Sequence, residues 1–274
     1  MRPAESSRGR WEQRIRRAER LALQHPFAKE ILDFYQHVAS FQKTLGASIA
    51  TSNKGTSHSA GALRDALDLT VLLPHFRGYL WTIEKYAPPA LRESARQMAG
   101  LSTEAWIASM EEYWKHGGMD DQQIGAFAQF LPRAFLQPYA EFRAEQTARA
   151  PLIETTRLCP LCGSRPLLGV LRPEGDGGKR FLQCSFCSRE WEFRRILCAH
   201  CGEDQEQQLP VYIAEQFPHI RVECCQSCKY FLRTIDLTKD GNAVPLVDDL
   251  AAIPLSFWAE ENGYKRIQGN LFGM

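Results

Sequence analysis

Apolar positions recur at helical spacing through the first half of the chain. In "HPFAKEILDFYQHVASFQKTLG" the residues Phe27, Ile31, Phe34, Val38, Phe41 and Leu45 follow at steps of four and three, the stripe of an amphipathic helix. "HFRGYLWTIEKY" repeats the pattern with Phe76, Tyr79, Leu80 and Ile83. "STEAWIASMEEYW" opens on a Ser/Thr cap and lines up Trp106, Met110 and Tyr113. From Ile124 to Phe142 the period persists, with Pro132 and Pro138 expected to kink or divide the helix. "TSNKGTSHSAGA" (51–62) has no large apolar residue and reads as a mobile loop. The Arg-rich start, "MRPAESSRGRWEQRIRRAERLAL", reads as a solvated helix face and not as an export signal. Residues 1–150 are therefore expected to form an all-α bundle of five or six helices.

The pattern changes near Ala150-Pro151. Short β-type runs follow, "PLLGVL", "RFLQC", "LPVYI" and "IRVEC", punctuated by Gly and Pro. The tail "PLVDDLAAIPLSFWAEENGYKR" reads as one or two short helices broken at Pro254. The boundary is placed within 148–157, giving an α + small β chain.

Cysteine changes this picture most. All nine cysteines lie between residues 159 and 228, eight of them as Cys-x-x-Cys pairs: Cys159/Cys162, Cys184/Cys187, Cys198/Cys201 and Cys225/Cys228. Such a pair points two sulfurs at one ion, half of a tetrahedral site, and a facing pair completes it. The gaps decide which pairs belong together. Between Cys162 and Cys184 there is room for a hairpin, and again between Cys201 and Cys225. The ten-residue stretch Ser188 to Leu197 is short for closing two knuckles around one ion and suits a connector. An internal repeat agrees: each half reads knuckle, strand, turn, strand, knuckle, aromatic-rich strand, with Trp191 and Phe193 matching Tyr230 and Phe231. Two tandem rubredoxin-like or zinc-ribbon-like modules are expected, at 151–196 and 197–240, with a short helical tail, 241–274, packing on them. Each module would hold one tetrahedral ion on its four cysteines, zinc or iron, since both accept four thiolates. Lys179, Arg180, Arg194, Arg195 and Lys229 flank the knuckles and would offset the thiolate charge. Cys224 is left over. His200 lies inside a knuckle already supplied with ligands, and His219 reads as a turn residue.

Composition excludes more than it assigns. A net charge of +1 and 24% charged residues give no basic run that calls for nucleic acid. No apolar run nears the roughly 20 residues of a membrane helix. With no export signal read at its start, the chain is expected in the cytoplasm, where cysteines stay reduced and nine of them are not expected to form structural disulfides. A closed four-thiolate site has no position for a reactive water, and there is no phosphate loop, H-E-x-x-H or G-x-S-x-G. Asp248-Asp249 reads as a solvated or capping pair. The chain is expected not to be an enzyme.

"CPLCGSRP", "RFLQCSFCSREW", "LCAHCGE", "ECCQSCKYFLRTID" and "PLVDDLAAIPLSFWAEENGYKR" occur in this order over residues 159–266. This succession resembles the formate dehydrogenase accessory protein family, FdhE. The resemblance implies a cytoplasmic chaperone for the maturation of formate dehydrogenase, binding the catalytic subunit before export. It carries the eight paired cysteines over as metal ligands. It also places Trp191, Asp248, Asp249 and Tyr264 on motif positions, expected at a partner surface. Two positions depart from the family pattern: Cys224 doubles a knuckle cysteine, and Ser256 stands where an acid is expected. The competing readings are a zinc-ribbon nucleic-acid-binding protein and a redox or metal-transfer protein with rubredoxin-type iron or a low-pKa thiol at Cys224. The oligomeric state stays open, a homo-oligomer included.

Overall fold

The computed structural model describes residues 7–52, 63–65, 67–117, 126–147, 154–175 and 177–273. The loop expected at 51–62 and the helix start expected at Ile124 fall largely outside these residues. The chain divides into two units, residues 1–149 with 271–273, and residues 150–270 with 274.

The first unit is helical. Its elements are α1 (Ser7–Gln24), α2 (Lys29–Ser52), α3 (Leu69–Tyr86), α4 (Pro89–Ala99), α5 (Thr103–His116) and α6 (Ala126–Gln146). The stripes behave largely as the spacing requires: Phe34, Val38 and Leu45 of α2, the four named residues of α3, and Trp106, Met110 and Tyr113 of α5 are all buried. Phe27 is not. It sits in a three-residue 3-10 turn opened by Pro26, before α2 begins, and is 59% exposed. The N-terminal arginines also depart from the expected solvated face. Trp11, Arg14, Arg17, Ala18 and Leu21 turn inward on α1, and Arg14 pairs with buried Glu141 of α6 at 3.0 Å.

Neither proline divides α6, which runs on through Pro132 and Pro138. Pro138 lacks the N–H that would reach the Ala134 carbonyl. The fully buried side chain of Gln42, on α2, donates to that carbonyl instead, at 2.7 Å. A neighbouring helix thus repairs what the proline breaks. Gln42 continues through Gln137 to Glu141 and Arg14 as a line of polar contacts inside the bundle. The C-terminal Phe272 packs within this unit against Phe34 and Phe130.

The second unit is built on a seven-stranded sheet. Its strands are β1 (Pro166–Glu174), β2 (Gly177–Cys184), β3 (Glu190–Glu192), β4 (Val211–Ile213), β5 (Ile220–Cys224), β6 (Tyr230–Asp236) and β7 (Lys265–Arg266). Strands β1–β2–β3 and β4–β5–β6 are two antiparallel meanders, the two copies of the repeat. They are not separate sheets. β1 pairs in parallel with β6, giving the order β3-β2-β1-β6-β5-β4, while β7 joins β6. At this joint Gly169 faces Thr234, and a Cβ on Gly169 would lie 2.2 Å from Thr234 Oγ1. The joint requires a residue without a side chain.

Two short helices, α7 (Pro245–Ala251) and α8 (Ile253–Glu261), follow the sheet. The break falls at Ala252, and Pro254 sits in the first turn of α8, where a missing N–H is harmless. Ala252, Leu255 and Ala259 close a core with Leu168, Val170, Ile220, Val222, Phe231 and Ile235 on one face of the sheet.

Candidate metal centres

Each knuckle is a tight turn following the same plan. Gly163 and Gly202 donate back to the carbonyls of Cys159 and Cys198, as Lys229 does to Cys225. The residue after each second cysteine takes a left-handed backbone: Gly163, Ser188, Gly202 and Lys229, with φ of 72°, 54°, 85° and 60°. Glycine adopts this freely, whereas Ser188 and Lys229 hold it against a cost of about 1–2 kcal/mol each. The turn brings the next residues' N–H groups onto the first sulfur. Phe186 and Cys187 donate to Cys184 Sγ, and His200 and Cys201 to Cys198 Sγ, at 3.4–3.5 Å.

The hairpins then carry facing knuckles together as the spacing requires. Cys159, Cys162, Cys184 and Cys187 form one group, and Cys198, Cys201, Cys225 and Cys228 a second. In the first, Sγ–Sγ separations are 3.6 Å (Cys159–Cys187), 3.3 Å (Cys162–Cys184) and 3.7 Å (Cys162–Cys187). In the second, Cys198–Cys228 is 3.8 Å and Cys201–Cys225 is 3.7 Å. A tetrahedral ion with metal–sulfur bonds of roughly 2.3 Å sets its sulfurs about 3.8 Å apart. The residues present therefore fit such an ion at both places.

The two groups differ in exposure. All four thiols of the first are buried, whereas Cys201 is exposed and Cys228 half-buried. Burial pushes Cys184 and Cys187 well above the ordinary thiol range. Hydrogen bonds with Cys159, Cys184 and Cys187 hold Cys162 far below it. Four sulfurs crowded into a buried place favour a divalent cation, which displaces the thiol protons and neutralises the thiolates.

The flanking cations serve this charge less than expected. Lys179 pairs with Glu192, Arg180 with Glu223, and Lys229 donates to Gln226. The backbone N–H groups of the knuckles meet the sulfurs instead. Cys224 joins neither group. It is 2% exposed in the sheet core, and burial, with Glu223 and Cys225 adding, pushes its thiol up to about 12. That removes it as a low-pKa nucleophile. His200 is no ligand either: its ring stacks on Tyr230 with centroids 3.8 Å apart.

The four residues expected at a partner surface are turned inward. Trp191 is 1% exposed and donates from Nε1 to the Thr156 carbonyl. The Tyr264 hydroxyl accepts from Gln226 Nε2. Asp248 caps α7 by accepting from the Val244 N–H and also meets His219 Nε2. Asp249, fully buried, accepts from Arg266 of β7 and pairs with Arg233 of β6 at 2.9 Å. Desolvation, with Arg266 alongside, pushes Arg233 down to about 9 against the pull of Asp249. Asp248, Asp249 and Tyr264 fasten the tail to the sheet and its turns, and neither aspartate is solvated.

The family models for the FdhE central domain and the FdhE C-terminal domain match residues 158–195 and 196–272. An FdhE homolog of Aquifex aeolicus is 26% identical over 259 residues, 90% of each chain. Over residues 158–272 the chain is therefore similar to FdhE proteins in both of these domains. An FdhE homolog of Pseudomonas aeruginosa is 38% identical over 123 residues, covering 43% of this chain and 40% of that one. One of Edwardsiella ictaluri is 34% identical over 125 residues, with 46% and 40% covered. The crystal structure of the P. aeruginosa FdhE protein superposes with a TM-score of 0.70 at 25% identity, covering 100% of this chain and 98% of that one. The whole fold is thus shared with an FdhE protein, helical region included. The boundary between the two family models, 195/196, falls in the connector between the knuckles of the two clusters.

Proposed function

We propose that this protein is a cytoplasmic accessory factor for formate dehydrogenase, a chaperone that binds the catalytic subunit before export and catalyses no reaction itself. Similarity to FdhE proteins over the metal modules, joined to whole-chain likeness to an FdhE structure, carries this reading. The site chemistry supports it. Cys159, Cys162, Cys184 and Cys187 would hold one ion, and Cys198, Cys201, Cys225 and Cys228 another. Four protein sulfurs leave an ion no position for substrate or an activated water. Such ions supply folding free energy to a small domain. Zinc and iron both suit the sulfurs.

The test is affinity capture of formate dehydrogenase catalytic subunit by the tagged full chain, made beside a Cys159→Ser, Cys162→Ser variant. Capture by the parent, weakened in the variant, supports the reading. Absence of capture, with formate dehydrogenase maturing normally in cells that lack this protein, overturns it.

The exposure of Cys201 and half-burial of Cys228 favour a second role for the second site alone, exchange or redox cycling of its ion.

A further inference from the structure

Another group of metal-ligating side chains lies apart from both thiol clusters. His219, Asp240 and Asp248 each offer one ligand atom, and the three atoms lie within 4.8 Å of one another. His219 stands in the turn before β5, Asp240 in the turn after β6, and Asp248 in α7. Far apart in sequence, they are held by a shared backbone frame. The Asp236 N–H donates to the His219 carbonyl, and the Asp236 carbonyl accepts from the Asp240 N–H. Asp236 is itself anchored by Arg221 at 2.6 Å. Asp248 is fixed by its cap on the Val244 N–H.

We propose that His219, Asp240 and Asp248 form a binding site for a divalent transition-metal ion, with three protein ligands and water in the remaining positions. A histidine–aspartate hydrogen bond alone accounts for two of the three residues. Asp240, whose Oδ1 accepts from the Asn242 N–H, brings a second carboxylate to the same place, and a divalent cation there would offset the repulsion between the two carboxylates. The spacing suits an ion. Adjacent ligands on an octahedral ion with bonds of about 2.1 Å stand about 3.0 Å apart, and small side-chain movements would bring three ligand atoms that already lie within 4.8 Å of one another onto such an ion.

The donor set separates this site from the other two. One imidazole nitrogen and two carboxylate oxygens favour manganese, ferrous iron, cobalt, nickel or zinc, where four thiolates select zinc or iron. Burial is graded across it: Asp248 is 1% exposed, whereas His219 and Asp240 are half-buried, so the site opens to water on one side. Ion binding at Nε2 displaces any proton there, which moves to Nδ1 or to solvent. The proposal does not depend on the formate dehydrogenase reading.

The experiment uses the full chain with its thiol sites filled with zinc, titrated with Mn²⁺, a poor thiolate ion, and followed by the electron paramagnetic resonance of free Mn²⁺. One saturable equivalent is expected. Asp240→Asn and His219→Gln should each weaken it by at least about tenfold, since each removes one ligand of three, while both zinc ions stay bound. Cys198→Ser, Cys201→Ser should leave the manganese equivalent in place. No saturable binding in the parent, or full affinity in either folded variant, overturns the proposal. Asp240 lies in a turn, so Asp240→Asn remains informative even where His219→Gln does not fold.

Discussion

Tyr79 carries a polar atom into an apolar interior. Its ring is fully buried among Phe41, Phe76 and Phe135, and its hydroxyl has no hydrogen-bond partner among the described residues. Desolvation accordingly drives that hydroxyl well above its ordinary value of 10.0. Tyr79→Phe removes an unmet polar group without changing the ring, and should raise stability by about 1 kcal/mol in denaturant unfolding. His37 makes the opposite kind of statement, about pH. Its ring stacks on Tyr86 with centroids 3.6 Å apart. Partial desolvation, aided by Lys85 and opposed by Asp33, holds it below its ordinary 6.5. The unfolded chain therefore takes up a proton that the folded chain still refuses. The contribution of His37 is full above pH 6.5 and is lost as pH falls from there through the lower folded value. An NMR titration of the ring should find a midpoint below 6.5, and His37→Gln should flatten stability over that interval. A midpoint at or above 6.5 would contradict this.

Helix α6 shows how one element depends on another. Proline spacing alone predicts a kink or a break, because it counts only the hydrogen bonds the helix makes with itself. The repair comes from Gln42, and nothing local to α6 announces it. Gln42→Leu should cost roughly 1–3 kcal/mol, the penalty for leaving the Ala134 carbonyl buried and unmet. Adding Pro138→Ala restores an N–H for that carbonyl, so the double variant should recover part of the loss. Additive costs in a double-mutant cycle would show that the two do not share the carbonyl. The joint between β1 and β6 is equally sensitive. Gly169→Ala forces a methyl group into Thr234 and should cost about 1–3 kcal/mol. Thermal unfolding of the metal-loaded protein measures it. A change of less than a few tenths would mean that the joint gives way easily.

Across the molecule, the two thiol clusters share ligand chemistry and differ in access to water. A competing chelator reaches Cys201 directly, but reaches the first cluster only after the module opens. With excess chelator, metal should leave in two phases of about equal amplitude. Cys198→Ser, Cys201→Ser should abolish the fast phase alone. A single phase in the parent protein would mean that the clusters open together. The sheet gives that outcome a route, because β1–β6 pairing makes the two meanders one structure.

The apolar periods, the change of pattern near residue 150 and the four Cys-x-x-Cys pairs are local regularities, and they were legible in the chain. Helical stripes were readable because a packing face repeats about every 3.6 residues. The pairing of knuckles was readable because closing two knuckles on one ion takes a strand, a turn and a return strand, for which the gaps after Cys162 and Cys201 leave ample room while the stretch from Ser188 to Leu197 is short. Contacts between distant residues carry no such period, and only the tertiary structure decided them. It joined β1 to β6, and set Gln42 on the Ala134 carbonyl. It turned Trp191, Asp248, Asp249 and Tyr264 inward, buried one thiol cluster while exposing part of the other, and drew His219, Asp240 and Asp248 together from three separate segments. The physical reason is common to all of these. A side chain's burial and its partners are set by whichever surfaces the fold brings against it, and spacing along the chain reports only what lies within a turn, a helix face or a hairpin.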